Sequence, residues 1–156
     1  MGVTARDVMD TEFFTVRPDT PITEAVKAFE EATRKLERRV FGMAVVNEAG
    51  ELVGMISMYD ILVLMRPKHI HIWGEMEDID ITGFIQEILE RAQSILVGDL
   101  MTTDILTVTP DTHLLLIVDI MTRKHIRRIP VIEAGKMIGM IHISNVFFYL
   151  MTQDLR

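Results

Sequence analysis

A chain of 156 residues, 49% of them hydrophobic, is long enough to bury a core and too apolar to stay disordered. Its formal charge of −7 repels polyphosphate, which argues against nonspecific nucleic-acid binding but leaves a small anion open to a local basic cluster. The absence of cysteine excludes disulfides and zinc–thiolate sites and fits cytoplasmic residence, and the apolar stretches at 61–65 and 114–121 are too short, or too interrupted by Asp119, to cross a bilayer.

In chain order, the first pattern is Thr15-Val16, a short extended piece ended by Pro18. Thr20-Pro21 reads as a helix start, with Thr20 as cap and Pro21 in the first helical position. Ile22, Ala25, Val26, Phe29 and Leu36 follow at helical spacing, and Arg34, Lys35, Arg38 and Arg39 gather at the far end, favourable to the helix dipole. Met43-Ala44-Val45-Val46 predicts a buried strand. Asn47-Glu48-Ala49-Gly50 predicts a hairpin turn, residues 52–57 a second strand, and Met58 the start of a short helix that stops at Arg66-Pro67.

An acidic loop with His69, His71, Trp73, Glu75, Glu77 and Asp78 comes next. The two histidines could share one face of a strand, but no second ligand pair stands at a recognised metal spacing, so no metal site is assigned. Phe84, Ile85, Ile88, Leu89, Ala92, Ile95 and Leu96 then predict an amphipathic helix over residues 82–96.

The rest of the chain repeats the beginning. Met9, Thr15-Val16 and Thr20 recur as Met101, Thr107-Val108 and Thr112, each at an offset of 92. Glu48-Ala49-Gly50 and Val53-Gly54-Met55-Ile56 recur as Glu133-Ala134-Gly135 and Ile138-Gly139-Met140-Ile141 at an offset of 85. Two halves that share order and spacing imply two copies of one strand–helix–strand–strand–helix unit, packed about a pseudo-twofold axis.

The marks Asp7-Val8-Met9, Asp99-Leu100-Met101, Arg128-Ile129-Pro130-Val131-Ile132 and Gly54-Met55-Ile56-Ser57-Met58-Tyr59-Asp60 resemble the cystathionine β-synthase (CBS) domain family. The resemblance spans residues 3–66 and 95–151, with the loop and linker helix at 67–94 between them. It implies an α/β fold of two β-α-β-β-α repeats. It also implies a regulatory module whose clefts take adenosine compounds: AMP, ADP, ATP or S-adenosylmethionine.

Ser57-x-x-Asp60 places a hydroxyl at a strand end and a carboxylate at a helix start. Such a carboxylate can accept hydrogen bonds from both ribose hydroxyls, each charge-assisted bond contributing about 1.5–3 kcal/mol. The alternative is that the pair simply caps the helix. By resemblance, Thr15, Val16, Met43 and Ala44 wall the base pocket; ordinary core packing is the competing reading for Val16 and Ala44. Arg128, Arg127 and His125 precede the matching strand of the other copy, where the family supplies phosphate ligands. Guanidinium suits a phosphate through its planar fork.

In the second copy, Ser57 and Asp60 become His142 and Asn145, so the cleft built from Thr107, Val108, Ile129, Pro130, His142 and Asn145 is degenerate. It should bind a nucleotide weakly, differently or not at all. Leu115, Leu116 and Ile120 widen the apolar stripe of the second copy's first helix, and Phe147, Phe148 and Met151 extend it. These residues predict a homodimer interface, unless the linker helix covers them.

The function expected is a non-catalytic sensor that signals to an unidentified effector protein. No cofactor is required. A nucleophile elbow and a phosphate-binding lysine loop are both missing, which argues against catalysis. The alternatives are a structural homodimerisation module with vestigial sites and a metal-ion sensor.

Overall fold

The structure is a computed structural model that describes residues 2–66 and 81–153. The acidic loop, including His69, His71 and Trp73, lies outside the described residues. The elements run α1 (Ala5–Val8), β1 (Thr15–Val16), α2 (Ile22–Leu36), β2 (Gly42–Val46), β3 (Leu52–Ser57), α3 (Met58–Leu62) with a 3-10 turn at Val63–Met65, α4 (Ile81–Ala92), α5 (Val97–Leu100), α6 (Leu114–Lys124), β4 (Arg128–Glu133), β5 (Lys136–His142) and α7 (Ile143–Met151).

The chain divides into two compact units that cut across the sequence repeats. Unit 1 holds Met1–Phe13, Val46–Leu52 and Asp104–Arg156; unit 2 holds Phe14–Val45 and Val53–Thr103. The opening segment of each copy therefore packs in the unit of the other copy. The backbone bonds in the two units correspond. In unit 1, Leu114 N–H donates to the Val3 carbonyl at 2.8 Å, and Ala5 N–H to the Thr112 carbonyl at 2.9 Å. In unit 2, Ile22 N–H donates to the Ile95 carbonyl at 2.9 Å, and Val97 N–H to the Thr20 carbonyl at 2.8 Å. A paired exchange between Asp10 and Met140 in unit 1 is matched by one between Thr102 and Met55 in unit 2.

The repeated Asp-x-Met mark explains the local form of these segments. Asp7 accepts from the Thr4 N–H at 2.8 Å, and Asp99 accepts from the Leu96 N–H at 2.9 Å. Each carboxylate satisfies a donor at the start of a one-turn helix that has no intrahelical partner.

Unit 2 is built on a sheet of order β1-β2-β3, with β1 parallel to β2 in the register Thr15↔Ala44 and Val16↔Val45. Every residue of β2 is buried, as suits a central strand with an unbroken apolar run. Val16, Ile22, Phe29, Met43 and Ile56 form its core with Ala92 and Val97. Pro21 stands one position before α2 as its cap residue, and Thr20 is not the cap. The Thr20 hydroxyl accepts instead from Arg17 N–H at 3.2 Å, closing the turn that leads into the helix. Val26, expected in the core, is 41% exposed and lines a surface groove, because Ile22, Ala25, Phe29 and Ala32 already fill the buried stripe. The helix α4 ends at Ala92, short of the expected Leu96: Gln93 and Ser94 turn the chain, and Ile95 is already extended toward α2.

Unit 1 has the same plan with a reduced sheet. β4 and β5 pair antiparallel, and the segment matching β1 contributes a single bridge, Val108↔Val131. Pro130 accounts for the reduction. It stands where unit 2 has Ala44 and offers a carbonyl to Val108 N–H at 3.1 Å, but it has no N–H with which to extend the ladder. Ile117, Met121, Ile129, Val131 and Ile141 form the core with Ala5 and Val8 of the opening segment.

The two hairpin turns differ by one residue. Ala134 (φ 52°) and Gly135 (φ 80°) make a two-residue turn with both central residues left-handed, which is the type I′ geometry that matches strand twist. In the longer turn, Asn47 Oδ1 accepts from Ala49 and Glu51 N–H, both at 3.0 Å, and Gly50 takes φ 82°.

Candidate functional site

The strongest constellation read from the sequence is assembled within unit 2. β3 ends at Ser57, and Met58 N–H donates to the Phe41 carbonyl at 2.9 Å, which sets the start of α3 beside the start of β2. Thr15 and Ala44 are partners in the same sheet. Ser57, Asp60, Thr15, Val16, Met43 and Ala44 thus occupy one sheet and the helix that follows it. Within the set, Val16, Met43 and Ala44 have their side chains in the core, Ser57 and Asp60 are half-buried, and Thr15 is exposed.

Asp60 and Ser57 form a reciprocal cap. The Ser57 hydroxyl oxygen accepts from Asp60 N–H at 3.1 Å; Asp60 Oδ2 accepts from Ser57 N–H at 2.9 Å and from the Ser57 hydroxyl at 3.0 Å. The capping reading of this pair is therefore correct, yet it does not exhaust the carboxylate. All of these bonds fall on Oδ2. Among the described residues Oδ1 carries none, and an ionised carboxylate has about four lone-pair sites. The cap holds Asp60 through Oδ2 and leaves Oδ1 without a hydrogen bond among the described residues.

The corresponding place in unit 1 keeps the geometry and changes the chemistry. Asn145 Oδ1 accepts from His142 N–H at 2.8 Å, the counterpart of the bond from Ser57 N–H to Asp60. A residue that sequence reasoning did not single out joins them. Asp10 Oδ1 accepts from Asn145 Nδ2 at 3.4 Å, and Asp10 Oδ2 lies 3.8 Å from His142 Nε2. Its position after Met9 matches Thr102 after Met101, so the offset that revealed the repeats could have exposed the Thr-to-Asp change. Thr107 is exposed here, while Val108, Ile129 and Pro130 are buried.

The basic residues also belong to unit 1. Arg128 opens β4 directly opposite His142, and the Arg127 carbonyl accepts from Ile143 N–H at 2.7 Å. His125 is exposed and ends α6 in the left-handed conformation (φ 54°).

Of the predicted interface residues, Leu115, Leu116, Phe147, Phe148 and Met151 stand exposed, Leu115 at 65% and Phe148 at 60%, while Ile120 is half-buried against the core. The linker helix α4 packs on α2 and the 3-10 turn of its own unit. Unit 2 has a groove of about 500 Å³ between α2 and α3, lined by Val26, Phe29, Glu30, Arg34, Met58 and Leu62, and Asp60 does not line it. Among the described residues there is no cluster of three metal-ligating side chains, and no helix is long and apolar enough to cross a membrane.

Comparison with known proteins gives a consistent result. The sequence model of the CBS domain matches residues 5–67 and 97–152. The CBS domain-containing protein CBSX1, chloroplastic, of Arabidopsis thaliana is 34% identical over 146 residues, covering 86% of this chain and 61% of that protein. The crystal structure of the CBS-pair protein CBSX2 from Arabidopsis thaliana superposes with a TM-score of 0.77 at 26% identity, covering 100% of this chain and 99% of that chain. A crystal structure of CBSX2 in complex with AMP matches with a TM-score of 0.72 at 28% identity, covering 99% of this chain and 100% of that chain. The chain spans less than two thirds of the full length of the curated CBSX1 and CBSX2 proteins.

Proposed function

The chain belongs to the CBS domain family, as a tandem CBS pair, and from that premise we propose that it is a non-catalytic regulatory module that binds an adenosine nucleotide at Asp60. The observation that carries this reading is the half-used carboxylate. Its Oδ2 is held by Ser57, and its Oδ1 is left for the hydroxyls of a ribose. The AMP complex of a similar CBS pair supports the choice of ligand class. AMP is the ligand to test first; ADP, ATP and S-adenosylmethionine are the alternatives.

Binding at Asp60 would shift the population of conformers that an effector protein reads. Such coupling between sites is typically about 1–3 kcal/mol and is reciprocal. We propose further that the protein acts as a homodimer in the cytoplasm, joined through the exposed apolar faces of α6 and α7. A structural dimer with vestigial sites is the competing reading, and the same exposed faces favour it.

The test is a thermal-shift titration with AMP on the wild-type protein and on Asp60→Asn. At 100 times its dissociation constant a ligand stabilises by about 2.7 kcal/mol. The expected result is a clear rise in melting temperature for the wild type and a much smaller one for the variant. An equal rise in both sinks the assignment of Asp60, and no rise with any of the four adenosine compounds favours the structural reading.

A further inference from the structure

We propose that Met101 in unit 2 and Met9 in unit 1 are oxidation sites: a hydroperoxide converts each thioether to a sulfoxide, and the change unseats the opening segment that the methionine anchors. This stands apart from the nucleotide binding proposed above. Each seat is tight. A β-carbon at Gly54 would lie 2.7 Å from the Met101 sulfur and 3.1 Å from its γ-carbon, so the thioether rests directly on the glycine backbone. Met9 rests on Gly139 in the same way, at 2.6 Å and 3.0 Å. Both methionines also pack on the apolar core of their unit.

The surroundings suit a thioether and not a sulfoxide. Oxidation turns a flexible apolar side chain into a polar one that needs hydrogen-bond donors. The neighbouring N–H groups are already committed. Met101 N–H donates to the Val97 carbonyl at 2.8 Å, Thr102 N–H to the Met55 carbonyl at 2.8 Å, and Met55 N–H to the Thr102 carbonyl at 2.9 Å. In unit 1, Met9 N–H donates to the Ala5 carbonyl at 2.9 Å, and Asp10 and Met140 exchange two bonds, each at 2.9 Å. The added oxygen must therefore be hydrated, which draws the side chain off its glycine. Exposure decides which methionines react. Met43, Met121 and Met140 are buried, whereas Met9 and Met101 are half-buried, within reach of a small oxidant. In the reaction the distal peroxide oxygen bonds to sulfur as the O–O bond breaks, and its proton passes to the departing oxygen, which leaves as water or an alcohol. The sulfur is oxidised and the peroxide is reduced.

The experiment treats the full chain with hydrogen peroxide and maps the sulfoxides by peptide mass spectrometry. Met9 and Met101 should oxidise along with the exposed Met58. Their conversion should lower the folding equilibrium constant about tenfold or more, read as a lower urea midpoint. It should also speed hydrogen exchange at the amides of Met55, Thr102, Asp10 and Met140, whose bonds hold the opening segments. Methionine sulfoxide reductases A and B, one for each epimer, should restore both readouts. Met9→Leu combined with Met101→Leu keeps the apolar volume without an oxidisable sulfur, so its midpoint should fall much less under peroxide. Met58→Leu keeps both seats and should lose as much as the wild type, which preserves the test if the double-leucine protein does not fold.

If Met9 and Met101 resist peroxide at doses that oxidise Met58, or oxidise with midpoint and exchange unchanged, the proposal is wrong. A double-leucine protein that loses as much stability as the wild type places the damage at other methionines and overturns it as well.

Discussion

Met101 packs so closely beneath Gly54 that a β-carbon at residue 54 would lie 2.7 Å from its sulfur. The Thr102 carbonyl would be 2.9 Å away on the same side. In unit 1 the same relationship joins Met9 to Gly139, at 2.6 Å. These glycines admit the opening segment of one copy against the third strand of the other.

Gly54→Ala should therefore destabilise the protein by about 1–3 kcal/mol, the usual cost of an overpacked core. Shortening the intruding side chain in the same background, with Met101→Ala, should recover part of that loss, since the two residues are in contact and their effects are not additive. Urea denaturation of the two single variants and the double variant gives the cycle. Strict additivity would mean that the sulfur is not what the added methyl meets.

The Ser57–Asp60 cap and the ligand role proposed for Asp60 are separable by substitution. Ser57→Ala leaves the Asp60 N–H without its acceptor and should cost about 1 kcal/mol of stability. Asp60→Asn keeps an acceptor for the Ser57 N–H and should cost less, while removing the charge that a ribose would use. Denaturant midpoints measured beside AMP affinities test the separation. Parallel losses in both quantities for both variants would show a single structural role.

The exposed apolar residues of α6 and α7 predict oligomeric mass. Leu115→Glu combined with Phe148→Glu should convert a dimer into a monomer, since a buried carboxylate without a partner opposes association. Neither residue supports the core of unit 1, so far-ultraviolet circular dichroism should be unchanged. Light scattering that returns one and the same mass for wild type and variant would place any interface elsewhere.

Ala134 occupies the left-handed region at φ 52°, where a β-carbon is strained. Asparagine tolerates that conformation better, and Asn-Gly is a preferred pair for a two-residue hairpin. Ala134→Asn should raise stability by a few tenths to about 1 kcal/mol. A lower denaturant midpoint would contradict the turn assignment.

The local parts of this fold could be read directly. The hairpin at Asn47 follows from one side chain and two nearby N–H groups, and the strand at residues 52–57 appears with the expected bounds. The helix at Ile22 was legible from its period, but its inward face was not fully so. Val26 is as apolar as its neighbours, and only the width of the buried stripe turns it outward. At the site, the Ser57–Asp60 pair was visible because its members are three residues apart. Asp10 was not, because it meets His142 across 132 positions of sequence.

What the sequence determined by itself is the existence of two copies and the chemistry each position offers, since capping, turn formation and amphipathic spacing depend on near neighbours along the chain. Which opening segment serves which copy was decided by tertiary structure. Asp7-Val8-Met9 and Asp99-Leu100-Met101 are near twins and make equivalent bonds, so side-chain chemistry cannot choose between the two partners. That pairing is a long-range property of the folded backbone, and it also brings the Asp10 carboxylate beside Asn145 and His142.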